Sequence, residues 1–264
     1  MNENNQDEQL KEQLKKIKNT IVVLSGKGGV GKSTVATNIA MTLALKGFKT
    51  GILDVDIHGP SIPTLLGLEG KRLESDGQFL LPIQHSENLK VISTGFMIDD
   101  PTSPIVWRGP MKMGFIKQMI AEVMWEELDY LIVDCPPGTG DEPLSVIQTL
   151  GDVTGAIIVT TPQKLAVVDV KKSVNFCKKL NTPILGVIEN MSGFVCPKCG
   201  ERVEIFKSGG GETMAQEMDV PFLGKIPLEA DIVEAGDAGK PFMYFYSETV
   251  AGKIMEEIIG KIIR

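Results

Sequence analysis

Short aliphatic and β-branched runs recur along the chain, each ending near a glycine, a proline or an acid: TIVVL at 20–24, TGILD at 50–54, YLIVD at 130–134, GAIIVT at 155–160 and ILGVIE at 184–189. They do not alternate polar with apolar, the mark of strands buried on both faces. Between them lie segments of helical period, such as Val35, Ile39 and Leu43, closed by Gly47 in the position that favours a left-handed residue. Strands alternating with helices predict right-handed crossovers, hence an α/β fold: a mostly parallel twisted sheet covered by helices on both faces. Residues 1–18 mix acids and lysines with few large apolar groups, so they read as a flexible tail or loosely docked helix before a single domain at 19–264. The Met-rich MKMGFIKQMI at 111–120 has the spacing of a packed helix. The closing SETVAGKIMEEIIGKIIR puts Val250, Ile254, Ile258 and Ile262 on one face. Its acids nearly cancel its bases, which favours packing on the sheet over lying on a membrane.

The strongest local signal is LSGKGGVGKST at 24–34, directly after the first strand and opening the first helix. Gly26-x-x-x-x-Gly31-Lys32-Ser33 is a phosphate-loop pattern, in which Gly26, Gly28, Gly29 and Gly31 let backbone amides approach phosphate oxygens. Lys27, Val30 and Thr34 belong to the same cradle. Lys32 is expected to reach the β- and γ-phosphates, and Ser33 to ligate Mg²⁺. The same letters satisfy the dinucleotide fingerprint Gly26-x-Gly28-x-x-Gly31, with Asp54 ending the second strand as a ribose acid would. That alternative leaves Lys32 and Ser33 unexplained, and also Asp134, the carboxylate that ends the YLIVD strand where a nucleotide hydrolase needs one near its metal.

Charge narrows the partners. With 27 Lys and Arg against 34 Asp and Glu, the net charge is −7, which disfavours nucleic acid and an anionic membrane surface. No apolar run is long enough to cross a bilayer, and the polar start lacks the apolar stretch of a secretory signal, so a cytoplasmic location is expected. Four cysteines are too few for a disulfide scaffold in a chain of 264 residues and are expected as thiols.

GKGGVGKST is a deviant phosphate loop that resembles the group containing the nitrogenase iron protein, MinD and ParA. That resemblance implies that Lys27 reaches across a dimer to the partner's nucleotide. DVDIHGPSIPTLLG at 54–67, VWRGPMKMGFIKQM at 106–119, DYLIVDCPPGTGDEPLS at 129–145, GVIENMSGFVCPKCG at 186–200, GGGE at 209–212 and LGKIPLEADIVEAGDAGKP at 223–241 are similar to the Mrp/ApbC iron–sulfur carrier ATPases. The likeness implies that Asp56 orients the attacking water, that Asp54 supports the Mg²⁺ shell, and that Asp134 holds the metal through water. It implies further that Gly138 offers its amide to the γ-phosphate and that Asn190 reads the adenine edge. Relatives often have arginine where this chain has Val233, so no contact is carried over there. His58 has no second histidine or thiol near it in sequence, and Cys135 and Cys177 read as small buried hydrophobes.

Cys196 and Cys199 in FVCPKCG have a spacing that a tetrahedral metal accepts, yet a structural zinc or a four-iron cluster takes about four protein ligands. A two-fold dimer doubles two thiols to four, since residues near the axis meet their own copies. The flanking Pro197 and Gly200 suggest a turn rather than the helix start of a redox dithiol. The expectation is therefore a homodimeric, Mg²⁺-dependent ATPase that carries a labile [4Fe–4S] cluster on Cys196 and Cys199 and passes it to apo-proteins. A scaffold with bridging zinc and a MinD- or ParA-like spatial organiser stay open as alternatives.

Overall fold

The computed structural model describes residues 3–57, 59–97, 109–196 and 198–263. Helix α1 (Glu3–Leu14) leads into β1 (Ile17–Ser25), the glycine-rich turn and α2 (Lys32–Leu45). Then come β2 (Thr50–Asp54), the short α3 (Ile62–Leu65), the hairpin of β3 (Glu74–Ser75) and β4 (Leu80–Leu81), and strands β5 (Ile83–Ser86) and β6 (Leu89–Ser93). The chain continues through α4 (Gly109–Ala121), β7 (Leu128–Asp134), α5 (Asp141–Leu150), β8 (Gly155–Thr160), α6 (Lys164–Lys179) and β9 (Ile184–Glu189). It closes with the hairpin of β10 (Phe194–Val195) and β11 (Arg202–Val203), followed by α7 (Gly210–Glu217), β12 (Phe222–Lys225), α8 (Ala230–Asp237), α9 (Phe242–Phe245) and α10 (Val250–Ile262).

Eight strands form one sheet in the order β12-β9-β8-β1-β7-β2-β6-β5. Its pairings are parallel except the last, where β5 runs antiparallel to β6. Alternate residues of β1 feed opposite faces. Ile21 and Val23 join α2, α9 and α10 residues such as Ile39, Phe242 and Ile258, whereas Val22 and Leu24 join α4, α5 and α6 residues such as Ile116, Val146 and Val174. Covering both faces explains why the strand sequences are continuously apolar. The crossovers place the carboxyl ends of β1, β2, β7 and β9 along one edge of the sheet, the usual place for a ligand crevice in such a fold.

Three of the five expected strands have the bounds read from the sequence, and two extend further: β1 to Ile17 and Ser25, and β7 to Leu128. Gly47 follows α2 with φ 87° and its amide donates to Ala44 O, so it ends the helix as expected. Of the Met-rich helix, Ile116, Met119 and Ile120 are buried, but Met111 is 61% exposed and is no core residue, because it lies in the first turn of α4, away from the sheet. Within 1–18 the structure has α1, with Leu10 and Gln13 buried, and β1 already under way at Ile17. Met255, Ile258, Ile259 and Ile262 of α10 are buried against the sheet, although Val250 at its start is exposed. His58, Pro197 and 106–108 lie outside the described residues.

Candidate nucleotide site and thiol hairpin

The turn after β1 is shaped by two left-handed glycines, Gly29 (φ 76°) and Gly31 (φ 81°), and an L side chain would be strained at either. Gly26 is needed for another reason. A Cβ there would come within 2.5 Å of the Asp169 backbone in α6, so only glycine lets the turn pack so closely. Ser25 Oγ donates to Lys27 O at 2.9 Å and steadies the first half of the loop. The result is a cleft of about 230 Å³ lined by Lys27, Gly28, Gly29, Gly31, Lys32, Ser33 and Thr34 on one side, with Asp56, Ser61 and Pro137 opposite. Gly26 packs against α6 and does not line the cleft, and Val30 is buried.

Of three neighbouring carboxylates, Asp56 lines this cleft, while Asp54 and Asp134 are fully buried. Asp54 and Asp134 end neighbouring strands in register, which brings both into the protein interior. Lys32 Nζ lies 2.6 Å from Asp134 Oδ1 and 3.8 Å from Asp56 Oδ2. Burial alone would lower the Lys32 pKa, but the charge and hydrogen bond of Asp134 outweigh it, and the ammonium is held above its ordinary range. Burial also raises Asp134, while Lys32 and the Ser33 hydroxyl act in the opposite direction. Asp54 is pushed up to about 8, first by burial and next by the charge of Asp134. Both of its oxygens are engaged: Asp56 N donates to Oδ1 at 3.1 Å and Ser93 Oγ to Oδ2 at 2.9 Å. Asp54 thereby fixes the backbone that carries Asp56. Asp134 Oδ2, in contrast, is buried without a hydrogen-bond partner. An unpaired carboxylate oxygen beneath a phosphate-sized cleft, next to the Ser33 hydroxyl, suits a hydrated Mg²⁺ ion.

Two further residues expected at the cleft have partners within the chain. Gly138 has φ 93°, and its amide donates to Ser25 O at 2.8 Å, which ties the PPGTG turn to the phosphate loop. Asn190 lies beside Gly31, against the turn, where it donates from Nδ2 to Val30 O at 2.9 Å. No side chain larger than hydrogen fits at Gly31 without displacing Asn190.

Cys196 and Cys199 stand apart from the cleft, in the turn between β10 and β11. Cys196 N donates to Glu201 O and Gly200 N to Cys196 O, both at 2.9 Å, so the turn is closed by its own backbone. Backbone N–H groups of Cys199 and Lys198 point at the Cys196 sulfur and, together with the Cys199 thiol, hold its pKa below the ordinary thiol value. Cys199 is exposed, and Val195 and Val203 in the hairpin strands and Ile205 just after them are 44%, 44% and 56% exposed. Among the described residues no third His, Cys, Asp or Glu joins the pair as a metal-holding group. Cys135 and Cys177 are fully buried, and burial pushes both thiols up, as expected of small core residues.

Sequence reasoning missed Ser93 and Glu189. Ser93 ends β6, a strand that the apolar-run criterion passed over because Lys90 interrupts it. Glu189 was read as the last residue of a strand and given no role; the available signal was an acid closing an otherwise apolar run.

The parallel sheet, the deviant phosphate loop after β1 and the strand-end carboxylates define a P-loop nucleotide-binding protein. The chain belongs to the NUBPL iron-transfer P-loop NTPase family of the ParA group, whose family model matches residues 16–263. It is 48% identical over 262 residues to an iron-sulfur cluster carrier protein of Methanocaldococcus jannaschii, covering 97% of this chain and 90% of that protein. It is 53% identical over 229 residues to the cytosolic Fe-S cluster assembly factor CFD1 of Kluyveromyces lactis, covering 84% and 81%. Among solved structures, a nucleotide-binding protein from Archaeoglobus fulgidus in complex with ADP is 40% identical with TM-score 0.79, covering 90% of this chain and 93% of that one. The cell division ATPase MinD of Pyrococcus furiosus shares the fold at TM-score 0.70 and 21% identity, covering 93% and 98%.

Proposed function

We propose that the chain is an ATPase whose two-fold dimer holds a labile [4Fe–4S] cluster as cargo between the Cys196–Cys199 pairs of two copies and hands it to apo-proteins. The observation that carries this reading is the thiol hairpin: a half-buried Cys196 and an exposed Cys199 in one backbone-closed turn, exposed apolar side chains in the same excursion, and no third ligand among the described residues. The names of the archaeal and fungal relatives support iron–sulfur cargo over zinc. The cytosolic naming of the fungal relative agrees with a cytoplasmic location. Among the described residues no helix is long and apolar enough to cross a membrane, and most of the apolar face of α10 is used against the sheet, which weighs against a membrane-bound organiser.

In this reading the glycine-rich turn cradles the phosphates of ATP, Lys32 neutralises the β- and γ-phosphates, and Thr34 and Asn190 complete the nucleotide contacts. Asp56 orients the attacking water, whose oxygen forms the new bond to phosphorus as the bond to ADP breaks. Lys27 acts on the partner's nucleotide, and Gly138 exchanges Ser25 O for the γ-phosphate. Ser33 and Asp134 are the residues to hold Mg²⁺, with Asp54 supporting them from below, and the ion when bound neutralises phosphate charge. Charge-assisted hydrogen bonds contribute roughly 1.5–3 kcal/mol each. Inverting a two-state balance from 1:99 to 99:1 takes about 5.5 kcal/mol. Two or three γ-phosphate contacts made only in the dimer span about 3–9 kcal/mol, the same scale as that shift. The test is anaerobic reconstitution with iron and sulfide, read by visible spectroscopy and light scattering with a zinc-loaded control. A cluster-bearing dimer is expected. Cluster on a strict monomer, or thiols that accept only zinc, would overturn the proposal.

A further inference from the structure

Glu189 is fully buried at the carboxyl end of β9, and its carboxylate closes the base of the thiol hairpin. Ser192 Oγ donates to Oε1 at 2.5 Å, Gly209 N to Oε1 at 2.8 Å and Gly211 N to Oε2 at 2.5 Å. Ser192 precedes the hairpin, and Gly209 and Gly211 follow it at the start of α7, so one side chain grips both stems of the excursion at 193–207. Ser192 Oγ and Ser208 Oγ, 3.1 Å apart, link the stems directly. The carboxylate receives two amides of a helix N-terminus, where an anion is stabilised by converging N–H groups and by the helix dipole. A Cβ on Gly211 would come 3.1 Å from Glu189 Oε2 and 2.9 Å from Thr160 Cγ2, so the run of glycines there lets α7 sit on the carboxylate.

The strand end that carries Glu189 is also tied to the phosphate loop. Asn190, the next residue, is bonded to the phosphate loop through Val30 O and to β8 through Thr160 O. Ile226 N donates to Glu189 O and Ser192 N to Ile226 O, which keeps the intervening turn in register with the end of β12. Any shift of the strand end at Asn190 is thus carried into both stems of the hairpin through a group with no freedom to swing.

We infer that Glu189 is a positioning residue that couples nucleotide occupancy of the cleft to the placement of Cys196 and Cys199. The inference rests on the proposed function for what the thiols carry, but its test does not. Apo-protein is labelled with a thiol reagent with and without Mg-ATP. Cys135 and Cys177 are buried, so the reaction reports on Cys196 and Cys199. In the parent protein the nucleotide should change the labelling rate at least threefold. Glu189→Gln keeps the shape but presents an NH₂ group to the amides that faced an oxygen. It should retain ATP affinity within threefold while its labelling ratio with and without nucleotide falls towards one. A ratio preserved in Glu189→Gln, or a parent protein whose labelling ignores nucleotide, overturns the inference. If Glu189→Gln does not fold, Ser192→Ala, which loosens one stem only, should lower the ratio partway, and an unchanged ratio there also overturns it. Iron and sulfide loading measured in parallel separates the readings, since a parent protein that never loads sinks the cargo while the labelling result stands.

Discussion

Lys32 Nζ is 2.6 Å from Asp134 Oδ1, and both side chains are buried. The cation that the phosphate loop offers to a nucleotide is therefore held by the carboxylate that ends the neighbouring strand. In the proposed function, a phosphate in the cleft would compete with Asp134 for Lys32 and so leave the Asp134 carboxylate open to a Mg²⁺ ion.

Replacing Lys32 with Met acts twice. Turnover should fall at least a hundredfold, because the group that neutralises phosphate charge is gone. The protein should also lose stability by roughly 3–5 kcal/mol, the scale of removing one partner from a buried ion pair, unless Asp134 takes up a proton. Phosphate release and thermal unfolding measured together check both. Full ATPase activity in Lys32→Met would show that the lysine does not touch the reacting phosphates.

How far the sequence could be read follows from where each residue gets its role. The phosphate loop is a local motif, since its spacing, its glycines and its place between a strand and a helix sit in one stretch. Asp134 was legible because it ends an apolar run. The link between Asp54 and Ser93 was not, since it joins β2 to β6 and needs the sheet order. Glu189 was hidden for the same reason, because its partners Gly209 and Gly211 come from beyond the thiol turn. The hairpin at 194–203 has strands of two residues, too short for any periodicity, and only its cysteines announced it. Met111 shows the reverse error, since a helical pattern says which face is apolar but not where along the helix contact with the sheet begins.

Asp56 lines the cleft, and its amide is fixed by Asp54 Oδ1 at 3.1 Å. Asp56→Asn should bind ATP with near-normal affinity and slow single-turnover hydrolysis about 10²–10⁴-fold, the range for a positioned acid–base group. Loss of binding with an unchanged chemical step would point instead to a structural role.

Replacing Cys196 with Ala should abolish iron and sulfide retention and leave basal ATP hydrolysis within about twofold, because the hairpin does not line the cleft. Metal analysis and phosphate release on the same preparation give the answer. Unchanged iron content would remove Cys196 from the ligand set.

Asp129 tests the electrostatics of the fold away from either site. Its carboxylate accepts from Lys18 Nζ at 2.8 Å and from Lys49 N at 2.9 Å, joining the start of β7 to β1 and to the loop before β2. The Lys18 hydrogen bond first, and the Lys49 amide next, hold its pKa below the ordinary carboxylate value. A depressed acid binds its proton less tightly in the folded state than in the unfolded one, so its contribution is present above the unfolded value of about 3.9 and is lost as pH falls through the folded value. Lys18 is largely exposed, so screening keeps the effect small. Asp129→Asn should lower Tm by roughly 2 °C at pH 7 and low salt. The difference should shrink with added salt, begin to narrow as the pH drops below about 4, and close only once the pH has passed below the depressed folded value, where the parent carboxylate is itself protonated. Melting curves of the two proteins from pH 7 down to the acid limit of folding decide the matter: a gap that widens towards acid would mean that the carboxylate is not stabilised in the folded chain.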